Sequence, residues 1–197
     1  MKLYCTQRSH FSRKVRILLS AWNINVELID IGNVGDSNRD IFGPNPLMKV
    51  PALVDGDVTV LDSDHIAAYL TRKFDPSDTF GVLTTDVELL NTRAVLNGAM
   101  AAEVELILAR RSGMDTSAHR RFDKIMDSIR SGLEWMEQHA SSIPQQPSYL
   151  GFQLVCLWDH LIVFKILELN YPTLKAHVER LSSLPYVAAT RPPPLPV

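Results

Sequence analysis

Cysteine is scarce in this chain of 197 residues, which contains two, Cys5 and Cys156. They lie far apart inside apolar patterns, with neither metal-ligand spacing nor a CxxC pair. A chain with two isolated thiols fits a reducing compartment, so we expect a cytoplasmic protein. Cys5 falls inside the predicted first strand, and we interpret it as a buried structural residue and not as a redox nucleophile.

Excess positive charge is also missing, and so is any long apolar run. The 20 Lys and Arg residues against 22 Asp and Glu give a formal net charge of −2, and the basic residues are scattered. This argues against a nucleic-acid partner. No apolar run reaches the ~20 residues of a membrane span, and the start of the chain lacks the apolar core of a signal peptide. We therefore expect no membrane association.

Motifs for metal and phosphate binding are absent as well. Four of the histidines (His119, His139, His160 and His177) are scattered, without paired His/Cys spacing or an HExxH segment, so the sequence implies no metal. There is no glycine-rich phosphate loop.

What the sequence does contain is an alternation of strand and helix signals over its first 75 residues. Short strands are expected at 3–5, 26–31, 52–54 and 58–61, with the second of these a buried-type strand. A helix follows the first strand, and another covers 63–74. Asp55-Gly56-Asp57 separates the last two strands and is a strong hairpin signal. The predicted order is βαβ, a loop, then ββα.

From Asp75 onward the composition changes, and no further strand alternation occurs. Amphipathic or apolar helices are expected at 87–111, 122–136, 150–167 and 174–181. The segment 150–167 is apolar but interrupted by polar residues, which favours a core helix over a membrane span. The proline-rich end, 191–197, is expected to be an extended tail. We divide the chain into an α/β domain at 1–75, a linker at 76–85 and an all-helical domain at 86–197.

Three local signals in the first domain could carry chemistry. Pro51 opens a strand, and we expect the bond before it to be cis, which would let Val50 offer its backbone to an extended peptide; the alternative is an ordinary trans proline. Asp62-Ser63 begins a helix, where it could cap the helix or bind a carboxylate. Ser9 precedes a helix, as an N-cap or as a hydroxyl donor that stabilises a ligand thiolate.

Taken together and in order, these segments resemble the glutathione transferase family. The stretches are Ser9 to Val15, Asn45 to Leu53 and Leu61 to Leu70. They are most similar to the bacterial, serine-type patterns S-P-[FY]-x-x-[KR]-V, N-P-x-x-K-V-P-x-L and L-x-E-S-x-x-I-x-x-Y-L. The resemblance implies a thioredoxin-like N-terminal domain followed by an all-α domain, glutathione as co-substrate, a hydrophobic electrophile and a homodimer.

The resemblance also implies roles for matching positions. Ser9 would hydrogen-bond the glutathione thiolate, and Val50 would pair its main chain with the cysteinyl unit. Asp62 would meet the γ-glutamyl ammonium and Ser63 the γ-glutamyl carboxylate. Lys49 would assist with a carboxylate.

Four departures from the family patterns are visible. His10 stands where proline is usual, so the entry to the helix is less rigid. Met48 replaces a frequent glycine, and Asp62 replaces the commoner Glu. In the apolar helix, Ser148 keeps the N-cap of a capping box while Gly151 lacks the reciprocal acid.

The electrophile pocket is expected to be lined by Phe11 and by one face of the long helix, with Leu96, Met100 and Glu103. The alternative is that Leu96 and Met100 are plain core or dimer contacts. The leading hypothesis for the activity is conjugation of glutathione to a hydrophobic electrophile. Its rivals are a non-catalytic binding or regulatory protein and a glutathione-dependent isomerase or reductase, and the absence of Cys at position 9 argues against disulfide reduction.

Overall fold

The computed structural model describes residues 1–195. Its first part is a four-stranded mixed sheet in the order β2-β1-β3-β4, with β1 parallel to β2 and antiparallel to β3, and with β3 antiparallel to β4. The strands are β1 (Lys2–Cys5), β2 (Glu27–Asp30), β3 (Ala52–Asp55) and β4 (Val58–Leu61), and the helices of this part are α1 (His10–Ala21) and α2 (Ser63–Phe74). This is the predicted thioredoxin-like arrangement.

The hairpin between β3 and β4 forms where the sequence predicts it. Asp55 pairs with Val58, so Gly56 and Asp57 make a two-residue turn. Gly56 has φ 59°, the left-handed region in which glycine is favoured and which tight hairpin turns require.

Strand β2 differs from expectation, because we predicted a buried strand there. Glu27, Leu28 and Asp30 are exposed, and Leu28 keeps 49% of its side-chain surface accessible. The reason is topological: β2 is an edge strand, so it has a neighbour on one side only. An apolar run alone does not distinguish an edge strand from a central one.

The rest of the chain is helical. After residues 75–86, which contain no helix or strand, come α3 (Val87–Arg111), α4 (Arg120–Gln138), α5 (Tyr149–Val163), α6 (Pro172–Ser182) and α7 (Pro185–Ala188). Helix α3 has the predicted bounds. The sequence pattern did not predict the one-turn helix α7, because four residues are too few to show a helical period.

Helix α5 is shorter than predicted, because its last turn closes before the apolar pattern ends. Lys165 has φ 51°, and the amide of Ile166 donates to the carbonyl of Leu161 at 3.1 Å. This is a left-handed C-terminal cap of the kind that ends many helices. The apolar residues beyond it pack against the core without being helical.

At the end of the chain, residues 191–195 have no regular structure, as predicted, and the prediction for Pro196 and Val197 lies outside the described residues. This segment is not loose throughout: Nη2 of Arg8 donates to the carbonyl of Pro194 at 3.0 Å. Within residues 1–195, no helix combines the length and apolarity that crossing a membrane would need.

Helix α1 lies between the two apolar cores of the molecule. Val15 and Leu19 belong to a small core against the sheet and α2, whereas Ile17 and Leu18 belong to the large core of the helical part. All four side chains are almost fully buried. Helix α1 therefore packs the two halves of the chain together.

The same helix also buries two cations. Arg13 and Lys14 are 2% and 0% exposed. Nη1 of Arg13 lies 2.7 Å from the carboxylate of Asp159 on α5, and Nζ of Lys14 lies 2.8 Å from Asp64 on α2. Because a buried charge without a partner is very costly, these contacts fix how α1 meets its neighbours.

The missing acid in α5 has a packing explanation. Oγ of Ser148 accepts the amide of Gly151 at 3.2 Å, so the predicted N-cap is confirmed. A Cβ atom added at Gly151 would lie 2.6 Å from a methyl carbon of Leu181 on α6. Since α6 packs this closely, an acidic side chain at position 151 would require Leu181 to move.

The buried pair on α1 gives a stability prediction. Lys14→Met should lower the free energy of unfolding by about 3 kcal/mol, because it leaves the Asp64 carboxylate without its cation. The matched control is Lys175→Met, which removes an exposed lysine 3.8 Å from Glu179 and should change little. Urea unfolding measures both; equal effects of the two substitutions would show that the buried pair does not hold the fold together.

Candidate functional site

The three signals found in the sequence meet at one end of strands β1, β3 and β4, where β1 and β4 end and β3 begins. Tyr4 near the end of β1 pairs with Ala52 at the start of β3, and Ala52 pairs with Leu61 at the end of β4. Ser9 follows β1, Val50 precedes β3 and Ser63 follows β4. The strand register therefore brings Ser9, Val50 and Ser63 to the same end of these strands.

Ser9 is the N-cap of α1 and is half-buried. Its Oγ accepts the amide of Ser12 at 3.1 Å, and its own amide donates to Oγ1 of Thr6 at 3.1 Å. In residues 1–195 no acceptor is found for its hydroxyl hydrogen. The cap and the donor interpretations are therefore compatible: the oxygen accepts from the helix while the O–H hydrogen remains free to donate.

Thr6 is a contributor that sequence reasoning missed. It is 8% exposed and lies between β1 and Ser9, where its hydroxyl accepts the Ser9 amide and so fixes the turn into α1. A threonine three residues before a helix N-cap can accept such a bond, and this local spacing is the signal that could have identified it.

The segment before β3 has an open backbone. The Val50–Pro51 bond is cis, as expected. Across the described residues, neither the N–H nor the C=O of Val50 has a backbone hydrogen bond, whereas the carbonyl of Lys49 accepts from Nδ2 of Asn45 at 2.7 Å. A peptide backbone placed alongside could therefore pair with Val50.

Asp62 and Ser63 form the start of α2. One carboxylate oxygen of Asp62 accepts the amides of Asp64 at 2.8 Å and His65 at 3.4 Å, so Asp62 is the N-cap. Its backbone has φ 72° and ψ 137°, which is uncommon for a residue with a side chain. Ser63 is 2% exposed and stands in the first turn, where the helix dipole favours a carboxylate.

Asp64, which the sequence analysis gave no role, forms a buried network behind Ser63. Its carboxylate binds Lys14, Asn97 Nδ2 at 2.6 Å and the Tyr149 hydroxyl at 2.6 Å. Burial alone would raise the pKa of Asp64, but the charge of Lys14 and these hydrogen bonds hold the pKa below its ordinary value. Asp64 is therefore a carboxylate that ties the start of α2 to α1, α3 and α5.

The residues predicted to line an electrophile pocket need correction. Leu96, Met100 and Glu103 are each 0% exposed, and the first two belong to the large core. Side chains without accessible surface cannot contact an electrophile in this structure, so the alternative of core residues fits Leu96 and Met100. The sequence placed them on the correct helix face, but that face packs inward. Phe11 is half-buried and keeps some accessible surface.

Glu103 belongs instead to a buried cluster with two histidines that the sequence left unconnected. Oε1 of Glu103 lies 2.8 Å from Nδ1 of His160, and Oε2 lies 3.5 Å from Nε2 of His10. Burial raises the pKa of Glu103, and burial together with the neighbouring His160 lowers the pKa of His10 well below its usual value. All three side chains are at least nine-tenths buried.

This cluster holds three side chains that can bind metals, two imidazoles and a carboxylate, but its geometry does not suit a metal ion. The two imidazole rings stack with centroids 4.0 Å apart and planes 22° apart. Imidazole nitrogens bind a metal in the ring plane at about 2.0–2.1 Å. Nearly parallel, stacked planes do not converge on one ion at that distance, so metal binding would require the rings to separate.

Both thiols are buried. Cys5 is 3% exposed and lies in β1, and burial raises its pKa. Burial likewise raises the pKa of Cys156 to about 11. Raised pKa values make thiolate chemistry unfavourable, and the buried structural position predicted for Cys5 is confirmed.

The first part of the chain is similar to known proteins. Residues 3–78 match the family described as glutathione S-transferase, N-terminal domain. Among curated proteins, glutathione S-transferase Z2 of Arabidopsis thaliana is 42% identical over 76 residues, which is 38% of this chain and 34% of that protein. The chain thus matches about a third of the length of that relative.

Solved structures share the fold over the whole chain. A glutathione S-transferase from Methylobacillus flagellatus, described as having glutathione bound, has a TM-score of 0.83 at 23% identity and covers 98% of this chain and 99% of its own. A bacterial maleyl pyruvate isomerase of the zeta class has a TM-score of 0.73 at 21% identity, covering 100% and 99%. Residues 3–78 are therefore similar to the N-terminal domain of glutathione S-transferases, and the chain shares the fold of these solved structures.

A prediction concerns Met48, which precedes Lys49 in the site segment. Its φ of 51° lies in the left-handed region that disfavours side chains, and it is 42% exposed. Met48→Gly should raise the free energy of unfolding by roughly 0.5–1 kcal/mol, because relief of backbone strain exceeds the added freedom of the unfolded chain.

The neighbouring Leu47 provides the control. It is 68% exposed, and its φ is not in the positive region. Leu47→Gly should therefore lower the free energy of unfolding by roughly 0.5 kcal/mol. If thermal or urea unfolding gives the same sign for both substitutions, the backbone at Met48 is not strained.

Proposed function

We propose that this protein binds glutathione at the site formed by Ser9, Val50 and Ser63 and transfers the glutathione thiolate to a hydrophobic electrophile. The observation that carries the proposal is the Ser9 hydroxyl: it caps α1 through its oxygen and keeps its hydrogen free. Glutathione in a structural neighbour supports the choice of ligand.

In this proposal each end of the tripeptide meets a different element. The backbone of Val50 pairs with the cysteinyl unit, and Lys49 assists a carboxylate. Ser63 and the first-turn amides of α2 hold the γ-glutamyl carboxylate, and Asp62 meets the ammonium with the carboxylate oxygen that does not cap the helix. The thiol then lies toward Ser9.

Catalysis follows from the acidity of the bound thiol. A free thiol has a pKa of about 8.5, so at neutral pH it is mostly protonated. A hydrogen bond from the Ser9 hydroxyl and the positive end of the α1 dipole both favour the thiolate. The sulfur forms a bond to the electrophilic carbon, and the leaving group departs with the bonding electrons. Ser9 stabilises the nucleophile and forms no covalent bond.

A second candidate is glutathione-dependent isomerisation, favoured by the likeness to the zeta-class isomerase and to the Z2 transferase. The same thiolate would add reversibly to a cis double bond and leave after rotation, so the site chemistry is shared. Assays with a chromogenic aryl halide and with maleylpyruvate distinguish the two activities. A non-catalytic regulatory protein would turn over neither.

We also propose a cytoplasmic homodimer. Several large apolar side chains are exposed on elements of both halves, at Val58 on β4, Phe74 on α2, and Val87 and Leu90 on α3. Phe74 is the last residue of α2 and is 39% exposed in the monomer, and grouped apolar side chains of this kind mark interaction surfaces. Sedimentation at micromolar concentration should give a dimer; a monomer would contradict this part of the proposal.

The catalytic prediction compares two serines of the site. Ser9→Ala removes one hydrogen bond to a charged group, about 1.5–3 kcal/mol, so turnover should fall roughly tenfold to a hundredfold with little change in glutathione affinity. The pH–rate profile should move to higher pH, because the bound thiol becomes less acidic. Ser63→Ala should instead weaken glutathione binding and affect the saturated rate less.

The matched control is Ser148→Ala, which also removes an N-cap serine but lies on α5. Each cap should contribute about 1 kcal/mol of stability. Ser148→Ala should therefore lower the melting temperature without changing turnover per folded molecule. If Ser9→Ala behaves like this control, Ser9 is a helix cap alone and another group activates the thiol.

A further inference from the structure

The buried cluster of His10, Glu103 and His160 has no role in the chemistry proposed so far. It joins three elements, since His10 is the first residue of α1, Glu103 lies on α3 and His160 on α5. A carboxyl group with 0% exposure is costly to bury. Neither of its oxygens receives a well-aligned hydrogen bond, although both lie close to imidazole nitrogens. A group retained at such cost calls for an explanation.

The position of His10 supplies one. It directly follows Ser9, and its Nδ1 accepts the amide of Phe11 at 3.0 Å. That amide is one of the first-turn N–H groups that lack a partner within the helix. Ser9 and His10 together therefore satisfy two successive amides of the first turn, those of Ser12 and Phe11.

Accepting this bond fixes the tautomer of His10. With Nδ1 as acceptor, the neutral ring carries its hydrogen on Nε2. That nitrogen lies 3.2 Å from the carbonyl of Met100 and 3.5 Å from Glu103. The Nε2–H of His10 thus has an acceptor in the middle of α3, and the stacked ring of His160 covers the face of the His10 ring. His160 in turn lies 2.8 Å from the other oxygen of Glu103.

We propose that Glu103, braced by His160, is a positioning residue for Ser9. It holds the His10 ring in the orientation that caps the Phe11 amide, and this fixes the first turn of α1 on which the Ser9 hydroxyl depends. The proposal rests on the proposed function of Ser9. A proline at the first helical position would fix the same turn differently, because its φ is already set for the helix.

The test uses three variants of the full chain. Glu103→Leu removes the carboxyl group, Glu103→Gln keeps its size and one acceptor, and the double variant His10→Pro with Glu103→Leu replaces the cluster by a rigid residue. Glu105→Leu is the control, because Glu105 is on the same helix but pairs with Arg121 in solvent.

Turnover and affinity should respond separately. Glu103→Leu should lower kcat for glutathione conjugation about tenfold with KM for glutathione unchanged, since a small misplacement affects the thiolate contact first. Glu103→Gln should lose less, and the double variant should recover most of the lost kcat. If Glu103 only packs the core, Glu103→Leu should lower thermal stability and leave kcat per folded molecule unchanged. In a variant that does lose kcat, a packing role predicts that adding His10→Pro does not restore it. Either result overturns the proposal.

A second readout does not depend on activity. Amide hydrogen exchange in Glu103→Leu should become at least tenfold faster at Phe11 and Ser12, whereas Leu18 in the middle of α1 should keep its protection. The double variant should restore protection at Ser12, and Glu105→Leu should change neither amide. If Ser12 keeps wild-type protection in Glu103→Leu, the positioning proposal is wrong whatever the activity. Wild-type protein without glutathione turnover would refute the proposed function while leaving this readout intact.

Discussion

Two positive charges buried on one helix determine much of this structure. Arg13 and Lys14 are neighbours on α1, and both are nearly inaccessible to solvent. Their carboxylate partners come from different elements, Asp159 on α5 and Asp64 on α2. A buried ion pair need not stabilise a fold relative to apolar packing, but a single unpaired buried charge is strongly destabilising. The arrangement therefore specifies one way for the helical part to dock on the sheet.

The same constraint links the docking to the candidate site. The helix that buries these charges begins at the Ser9 cap, and Asp64, which neutralises Lys14, directly follows Ser63. The two ends of the proposed glutathione site are thus attached to one polar network, together with Asn97. The helices that begin at these two serines, α1 and α2, are held by contacts that cross between the two parts of the chain. Stability and chemistry share the same residues here.

The sequence predicts those features that depend on residues close together along the chain. Helix bounds at 87–111, the hairpin at Gly56 and the cap at Ser148 follow from period, turn residues and capping side chains. It failed where the answer lay in distant packing. The exposed face of β2 depends on its place at the sheet edge, and Glu103 looked like a pocket residue because a helix face does not state whether it meets solvent or another helix.

The sequence does not predict the buried polar clusters either, because their members are distant along the chain and meet only through packing. His10 and His160 are 150 positions apart, and no spacing rule connects them, although their rings stack. The unusual feature that was visible, a histidine directly after Ser9, acquired a meaning only once Glu103 was found beside it. Replacement of an expected rigid residue by a titratable one next to a candidate catalytic residue is thus a useful signal to follow into the structure.

In the proposed mechanism, the Ser9 end of α1 makes a bound glutathione thiol more acidic. The most direct measurement is a pH titration of the ultraviolet thiolate absorbance of glutathione bound to the protein. The account predicts a bound-thiol pKa below the value of about 8.5 for a free thiol, and a return toward that value in the Ser9→Ala variant. A bound-thiol pKa equal to that of free glutathione, or one unchanged by removing the Ser9 hydroxyl, would contradict it.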